Sequence, residues 1–223
     1  MPTRLLAATC AALVLNLPSF AAAQALSTVS LGDPAPPGWD ASGHLSWLTV
    51  DKTGIAPEWD RWYDVASFGG SLGRFVGPHL KVEVDAATSA SANVYVQRQV
   101  SIPTQPYPIF VSQPHRFRMT TVSGGTAYQF FDNRWFHPFV GAGIEAARET
   151  RTVEPVFFPT VPPGTVVLDP PGTTSTWRAL PFADVGFKLF VSERAFLRSD
   201  VRTTFDRNGV SHVSWRNGLG FDF

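Results

Sequence analysis

Apolar and polar side chains alternate with a period of two residues along most of this chain. In the segment 80–86, LKVEVDA, every second residue is apolar and the residues between them are charged. Such alternation places the two kinds of side chain on opposite faces of a strand, whereas helical spacing is hard to find. Comparable alternation occurs in 39–47, 139–147, 176–190, 196–205 and 212–223, and less cleanly in 62–76 and 116–131. The pattern therefore predicts eight strands.

The predicted connections alternate between long and short. Tight turns with the sequences VGPH, FDNRWFHP and VSER follow the second, fourth and sixth strands. Long segments follow the first, third and fifth strands, and two of them, about 99–115 and 150–175, are rich in proline. Only the last link, DRNGVS, is short where a long one is expected. This rhythm predicts an all-β fold, an eight-stranded antiparallel up-and-down barrel with one elaborated end.

Alternation alone does not decide which face points inward, because a soluble carrier and a membrane barrel share the pattern. Three features favour a transmembrane barrel. Trp39 and Trp47 flank the apolar face roughly 26 Å apart along the strand, which approaches the height of a lipid-facing band. The polar face carries charges at mid-strand, and Phe223 is in register with the apolar face. A soluble carrier or a soluble β-sandwich remains the alternative.

The N-terminal region has the layout of a secretory signal peptide. Arg4 provides the positive charge, residues 5–17 are mostly apolar, and small residues allow cleavage after Ala23 or Ala25. We therefore expect a signal peptide at 1–25, a short Pro-rich segment at 26–38 and the barrel at 39–223. Cys10 is the only cysteine, so disulfides are not expected in the exported chain. The formal net charge is zero, which gives no electrostatic case for binding nucleic acid.

Three segments resemble the small eight-stranded outer-membrane barrels of the outer-membrane protein A and opacity-protein type. They are HPFVGAGIE (137–145), FKLFVSERAFLRSDVR (187–202) and the closing GLGFDF (218–223). The resemblance implies a monomer in the cell outer membrane, in contact with its lipid. It also implies that the barrel-assembly machinery reads the last strand, with Leu219, Phe221 and Phe223 as its assembly signal.

The inward parities predict a network of charges in the barrel lumen. A barrel of eight strands leaves an interior that side chains can fill, and buried charges of opposite sign are expected to pair. The predicted network contains Lys81, Glu83, Asp85, Arg116, Arg118, Glu145, Arg178, Asp184, Lys188, Arg198, Asp200, Arg202, Arg216 and Asp222.

One pair of residues could carry chemistry. His212 and Ser214 lie two apart on the last strand, and a histidine near a serine is the material of an acyl-transfer site. Outer-membrane lipid A hydrolases resemble this arrangement, but their pair faces the lipid, whereas parity turns His212 and Ser214 toward the lumen. His79, His115 and His137 are expected at solvated strand ends. No metal-ligand spacing or cofactor motif is found, so we expect neither a metal nor a cofactor.

The sequence therefore predicts a non-enzymatic, porin-like outer-membrane protein with a structural or surface-interaction role. Any recognition of an extracellular partner is expected in the Pro-rich loops 99–115 and 150–175. Apolar residues at 156–158 and 161 are interpreted either as a partner surface or as a lid. A small pore, or a lipid A-modifying hydrolase using His212 and Ser214, is the alternative.

Two residues do not fit the pattern. Pro181 lies within the sixth predicted strand, which predicts a bulge or a later strand start, and Asn217 places an amide on the lipid face.

Overall fold

The computed structural model describes residues 38–51, 62–100, 107–130, 135–155 and 169–223. Contacts divide the chain into two units, residues 1–35 and 36–223, and the described residues all lie in the second unit. The predicted signal peptide and almost all of the Pro-rich segment lie outside the described residues. No helix in the described part of the chain is long and apolar enough to cross a membrane.

The described residues form nine β-strands in a single antiparallel sheet. The strands are β1 (Trp39–Asp51), β2 (Trp62–Phe75), β3 (Leu80–Ser89), β4 (Ala92–Val100), β5 (Ile109–Gln129), β6 (Phe136–Val153), β7 (Gly172–Phe190), β8 (Ala195–Asp206) and β9 (Gly209–Asp222).

The sheet closes on itself as a ring of eight. Strand β1 pairs with both β2 and β9, and the other strands pair with their neighbours in sequence, except that β3 and β4 both pair with β5. Strands β3 and β4 occupy one position, because β3 pairs with residues 120–128 of β5 and β4 with residues 109–117. The predicted eight-stranded up-and-down barrel is therefore confirmed.

A bulge at residues 89–91 separates β3 from β4. Three residues there face two on β5, between the pairs Thr88–Thr120 and Ala92–Phe117. The Ser89 hydroxyl accepts the Met119 amide (2.9 Å) in place of a backbone carbonyl, and the Ala90 amide donates to the Ala66 carbonyl (2.8 Å). The serine side chain thus satisfies the amide that the bulge leaves behind.

Two of the three long connections are shorter than predicted. Strand β4 continues to Val100 and β5 begins at Ile109, so much of the predicted loop 99–115 is strand. Strand β6 continues to Val153 and β7 begins at Gly172, which shortens the predicted loop 150–175 from both sides. The proline-based boundaries were wrong because proline is tolerated at particular positions of these strands.

Three prolines lie inside strands. Each of them is one residue beyond the end of the ladder that its strand forms with one of its two neighbours. The β5–β6 ladder runs between His115 and Gln129 on β5, so Pro114 and Pro138 lie just outside its two ends. Their carbonyls still accept the amides of Glu154 (3.1 Å) and Phe130 (2.8 Å). Pro181 lies just beyond the β7–β8 ladder, which begins at Phe182. A missing N–H costs little where the neighbouring strand has stopped pairing.

Strand β7 is continuous through Pro181 and stays in register with β6 on both sides of it. The predicted bulge and the predicted later strand start at this proline are therefore both wrong.

The outer face changes from apolar to polar at one height. One row across the strands is Ala86, Val122, Ala146 and Ala179, and the next row up is Thr88, Thr120, Arg148 and Trp177. Below the change, outward residues such as Val84, Ile144 and Leu219 are more than half exposed, while the inward face is charged. This is the pattern of a lipid-facing band around a polar lumen, and it confirms the predicted facing.

The barrel is taller on one side than on the other. Strands β5, β6 and β7 have 21, 18 and 19 residues, whereas β8 and β9 have 12 and 14. Residues 92–100, 109–119, 147–153 and 172–178 continue upward from the apolar band as a four-stranded sheet, which we call the raised wall. The part of the barrel beneath it, where apolar residues face outward, is called the membrane-spanning part.

Candidate functional site

Charged side chains from six strands of the membrane-spanning part, β1, β3, β6, β7, β8 and β9, meet in one ion-pair network. Its members are Asp40, Glu83, Asp85, Glu145, Asp184, Asp200 and Asp222; Lys81, Lys188, Arg198, Arg202 and Arg216; and the histidines His44 and His212. All of them are at least nine-tenths buried. Burial on this scale is tolerable only because each charge has an opposite charge beside it.

The lower end of the network is organised around Asp40. Lys81 donates to its carboxylate at 2.9 Å, and Lys188 donates to the same oxygen. Lys188 also lies 3.6 Å from Asp222, and its ammonium is 4.2 Å from the centre of the Phe196 ring. Two lysines on different strands thus share one aspartate, while a phenylalanine face covers one of them.

Arg198 and Asp200 connect the lower end to the middle of the lumen. Arg198 donates to Glu83 at 2.7 Å and to Asp200 at 2.8 Å. Asp200 also accepts from Arg216 at 2.6 Å, and Arg216 reaches Asp184 at 3.3 Å. Arg198, Asp200 and Arg216 each bridge two partners, so a substitution of any one of them removes contacts with both of its partners.

The upper end of the network is centred on Arg202. Its guanidinium lies 3.3 Å from Asp184, 3.5 Å from Asp85 and 3.8 Å from Glu145. The Phe182 ring lies against the same guanidinium, with its centre 3.9 Å away. Arg202 therefore has three carboxylates around it and does not depend on any single one.

The two histidines occupy the top of the network. His212 Nε2 lies 2.8 Å from Glu145 Oε1, and His44 Nδ1 lies 3.6 Å from Asp85 Oδ2. A cavity of about 30 Å³ borders both histidines and Ser214, which is enough space for a water molecule. Across this cavity, the ion pairs meet the buried apolar residues Leu48 and Met119.

Glycines on neighbouring strands make room for two of these carboxylates. Asp40 faces Gly73 across the β1–β2 pair, and Asp184 faces Gly141 across the β6–β7 pair. A Cβ on Gly73 would lie 2.2 Å from the Asp40 carboxylate, and one on Gly141 would lie 2.1 Å from that of Asp184. These glycines are needed because no larger side chain fits beside the lumen carboxylate.

Most of the predicted lumen residues enter the network, but three of the arginines do not. Arg116 and Arg118 point outward, so their predicted lumen placement was wrong. The inward positions beside them carry Phe117 and Met119, which are buried. Arg178 has the predicted inward parity but lies near the rim, where it pairs with Glu149 at 3.0 Å, apart from the network.

Three members of the network were not predicted. Asp40 and His44 lie on the polar face of the first predicted strand, so the alternation there could have identified them. His212 was considered only as a catalytic candidate, although its inward parity was recognised. Histidines were left out because the prediction considered only carboxylates, lysines and arginines.

His212 and Ser214 face the lumen, as the parity predicted, and not the lipid. They are 2% and 8% exposed, respectively. His212 lies beside Glu145 and is therefore part of the charge network. Among the described residues, no group of three or more histidine, cysteine, aspartate or glutamate side chains is arranged to hold a metal.

His115 was expected to be solvated, and this was wrong: it is fully buried on the inner face of the raised wall. Arg151 donates to His115 Nδ1 at 3.2 Å and to Asp169 at 2.7 Å. Gln113 and Asp169 exchange two hydrogen bonds, from the Gln113 amide to the Asp169 carbonyl (2.9 Å) and from the Asp169 amide to Gln113 Oε1 (3.1 Å). The end of the loop that precedes β7 is thus fixed to the inside of the wall.

The apolar residues at 156–158 and 161, interpreted as a partner surface or a lid, lie outside the described residues. The position of Asp169 shows where the described part of that loop turns inward.

The polar residue on the lipid face is hydrogen-bonded. Asn217 Oδ1 accepts from the Ser199 hydroxyl at 2.9 Å, and Ser199 accepts from the Trp215 indole at 3.3 Å. Two of the three groups come from β9 and one from β8, in adjacent rows. The chain of bonds reduces the cost of placing an amide in the apolar band.

The predicted assembly residues Leu219, Phe221 and Phe223 are all more than 60% exposed on the outer face. Phe223 exchanges backbone hydrogen bonds with Trp39, at 2.8 and 2.9 Å, which extends the closing β1–β9 pair. Their position fits a lipid-facing girdle, and their role in assembly stays a prediction.

Comparison with solved structures identifies the fold. Neisserial surface protein A matches with a TM-score of 0.54 and 11% identity, over 83% of this chain and 97% of its own. The attachment invasion locus protein Ail of Yersinia pestis, an outer-membrane protein, matches with 0.52 and 11%, over 84% and 99%. The outer-membrane protease OmpT of Escherichia coli matches with 0.41 and 10%, over 87% and 99%. The TM-score with OmpT is below 0.5 and does not establish a common fold.

No protein-family model matches the chain, and no curated protein matches it in sequence. The fold is an eight-stranded barrel shared with Neisserial surface protein A and Ail, and in this chain it has an apolar outer band and a charged lumen. This chain has the fold of an outer-membrane β-barrel.

Proposed function

We propose that this protein is a non-enzymatic, non-conducting outer-membrane barrel that presents the raised wall and its adjoining loops for recognition outside the cell. The observation that carries the proposal is the filling of the lumen at two successive heights. The ion-pair network occupies the membrane-spanning part, and an apolar layer lies above it.

The apolar layer consists of residues that are all buried and in mutual contact: Leu48, Val50, Val65, Met119 and Ala147. Tyr63 packs against the same cluster. An ion crossing the barrel would have to break paired charges and then enter a layer whose buried side chains are mostly apolar. An eight-stranded barrel is only wide enough for its side chains to fill the interior, which favours a plug over a pore.

The position of the His–Ser pair argues against a lipid hydrolase. A catalytic serine has to reach an acyl chain in the lipid, but Ser214 points into a cavity of about 30 Å³ inside the barrel. His212 is directed at Glu145 in the same interior. Since a shared fold does not fix an activity, the absence of catalysis is part of our proposal.

The raised wall supports a recognition role. The longer loops of outer-membrane barrels face the outside of the cell, and here the long connections adjoin the wall. Burial and the Asp169 hydrogen bonds make the wall a rigid base for those loops. Loops on a rigid base are a common place for binding function.

Conductance in planar lipid bilayers tests the closed lumen. We expect no steady current from the purified, folded protein under conditions in which an open porin conducts. A large and persistent ion-selective current would contradict the proposal and favour the small-pore alternative.

The composition of lipid A in a host that expresses the protein tests the absence of catalysis. We expect the same lipid A species with the wild type, with Ser214→Ala and without the protein. A deacylated species that depends on Ser214 would show that the protein is an enzyme.

A further inference from the structure

Two rows of polar residues cross the outer face of β5, β6 and β7 just above the apolar band. The lower row holds Thr120, Arg148 and Trp177, and the upper row holds Arg118, Thr150 and Ser175. We call these six residues the arginine patch. Because they are paired in register on adjacent strands, the two guanidinium groups and the hydroxyls share one continuous surface.

The two arginines of the patch have no carboxylate partner in the described part of the chain. Arg118 makes a long hydrogen bond to the Thr88 hydroxyl (3.4 Å), and Arg148 makes one to Ser175 (3.5 Å). Arg116, one position higher on the same face, instead pairs with Glu154 at 2.8 Å. A guanidinium has five N–H donors, so most donors of Arg118 and Arg148, both exposed side chains, have no hydrogen bond to the described residues.

The patch lies at the level of lipid headgroups. The row beneath it on β5, β6 and β7 is entirely apolar: Val122, Ala146 and Ala179. Trp177 is 59% exposed, and the Arg148 guanidinium is 5.9 Å from the centre of its ring. Tryptophan is enriched at the boundary between lipid and water, and the long connections at this end of the barrel place the boundary in the outer leaflet.

The opposite side of the barrel has different chemistry at a similar height. Asp64 on β2 is exposed on the outer face and accepts a hydrogen bond from Thr49 at 2.6 Å. An anion would be repelled there and attracted to the arginine patch. The positive surface is therefore local to one side of the barrel.

We propose that the arginine patch binds the phosphate of an outer-leaflet lipid headgroup. Arginine forms bidentate, charge-assisted hydrogen bonds to phosphate, and the two guanidinium groups are on adjacent strands in adjacent rows. The hydroxyls of Thr150 and Ser175, which are 3.1 Å apart between the strands, supply further donors. The lipid's acyl chains would lie against the apolar rows directly below.

Lipid binding by the full folded chain in dodecyl maltoside micelles, which contain no phosphate, tests this site. The probe is bisphosphorylated lipid A, with bound lipid counted by native mass spectrometry. We expect R118Q or R148Q to weaken binding about 5-fold and the double variant about 30-fold, from the usual contribution of one basic residue near an anionic surface. R118K/R148K should bind more tightly than R118Q/R148Q but more weakly than the wild type, because the charge is retained and the bidentate geometry is lost.

R116Q is the matched control, since Arg116 is on the same face but is already paired with Glu154. It should leave lipid A binding unchanged, and a loss as large as that of R118Q/R148Q would overturn the site. Equal binding of dephosphorylated lipid A would also overturn it. Displacement of lipid A by an equal concentration of inorganic phosphate would show a free-anion site and refute the headgroup assignment. Gel mobility of unheated samples confirms that each variant is folded before its binding is compared.

Discussion

The membrane-spanning part of the barrel and the raised wall are built on some of the same strands, with the same inward and outward parity, but the chemistry of their faces differs. Below the change, inward Glu145 and Asp184 are buried charges and outward Ile144 and Val185 face lipid. Above it, inward Phe117 is buried and the outward residues are mostly polar, with threonines, serines and arginines among them. The strands continue while their surroundings change from lipid to water.

This difference shows that facing and polarity are separate properties of a barrel strand. Parity decides which side chains point into the lumen, whereas the medium outside decides whether those side chains should be polar. In lipid the apolar side chains belong outside, and in water they belong inside. At the row that contains Thr120 and Arg148, the preference for apolar side chains on the outside, as in lipid, gives way to the preference for apolar side chains on the inside, as in water.

The largest expected effect is a difference in stability between the two parts: the same arginine-to-methionine change should cost more in the membrane-spanning part than in the raised wall. Arg198→Met removes a buried cation that bridges Glu83 and Asp200, so we expect a loss of about 3–5 kcal/mol in the free energy of unfolding. Arg178→Met, which removes a partly exposed partner of Glu149, should cost less than about 1 kcal/mol. Urea unfolding in lipid vesicles, followed by tryptophan fluorescence, measures both. Equal costs would mean that the lumen network does not differ energetically from the rim pair.

Neutralising a partner of Arg198 distinguishes loss of charge balance from loss of packing. Arg198→Met combined with Asp200→Asn should recover part of the stability that the single change removes. No recovery would attribute the loss to packing alone.

A charge introduced on one face of one strand should reveal the height of the lipid boundary. Ile144 and Thr150 both point outward from β6, below and above the change in polarity. Ile144→Arg places a guanidinium in the apolar band and should cost about 2 kcal/mol, whereas Thr150→Arg should be nearly neutral. The same vesicle unfolding experiment gives both values. A similar cost for the two would place Thr150 inside the lipid as well.

The smallest expected effect is at the inner face of the wall. Asp169→Ala removes the partner of Arg151, which is partly exposed, and should cost about 1 kcal/mol or less. The backbone bonds between residue 169 and Gln113 would remain. Thermal unfolding, monitored by gel mobility, measures the loss of stability. Gln113→Ala is the control, because it removes the hydrogen bonds to the backbone of residue 169 and leaves the ion pair in place. A larger loss from Asp169→Ala than from Gln113→Ala would make the ion pair the main anchor.

Alternation was enough to predict the strands and most of the lumen because the lipid band enforces it. Within that band, a charge such as Glu83 or Arg216 has only the lumen to occupy, so its parity fixes its place. Arg116 and Arg118 were misplaced because the sequence does not show the height at which the outside becomes water. His115 was predicted to be solvated for the same reason. The strand that was expected to begin near it begins at Ile109 instead, so His115 lies within the strand.

The ion-pair partners could not have been predicted in the same way. Parity shows that Lys188 and Asp40 both point inward, but their contact joins residues that are distant in sequence. It depends on ring closure and on the space beside Gly73, neither of which a local pattern contains.

The prolines at the ends of the ladders have a consequence for how the strands find their partners. A strand in this barrel can slip by two residues and still keep its apolar side chains toward lipid, so facing alone does not specify one alignment. A slip that lengthened the β7–β8 ladder would bring Pro181 into it, and one that lengthened the β5–β6 ladder would bring in Pro114 or Pro138. Each of these shifts would put a residue without an N–H where the neighbouring strand requires a donor. The prolines thus disfavour the neighbouring misaligned registers. They help to specify the native register because they raise the free energy of its closest alternatives.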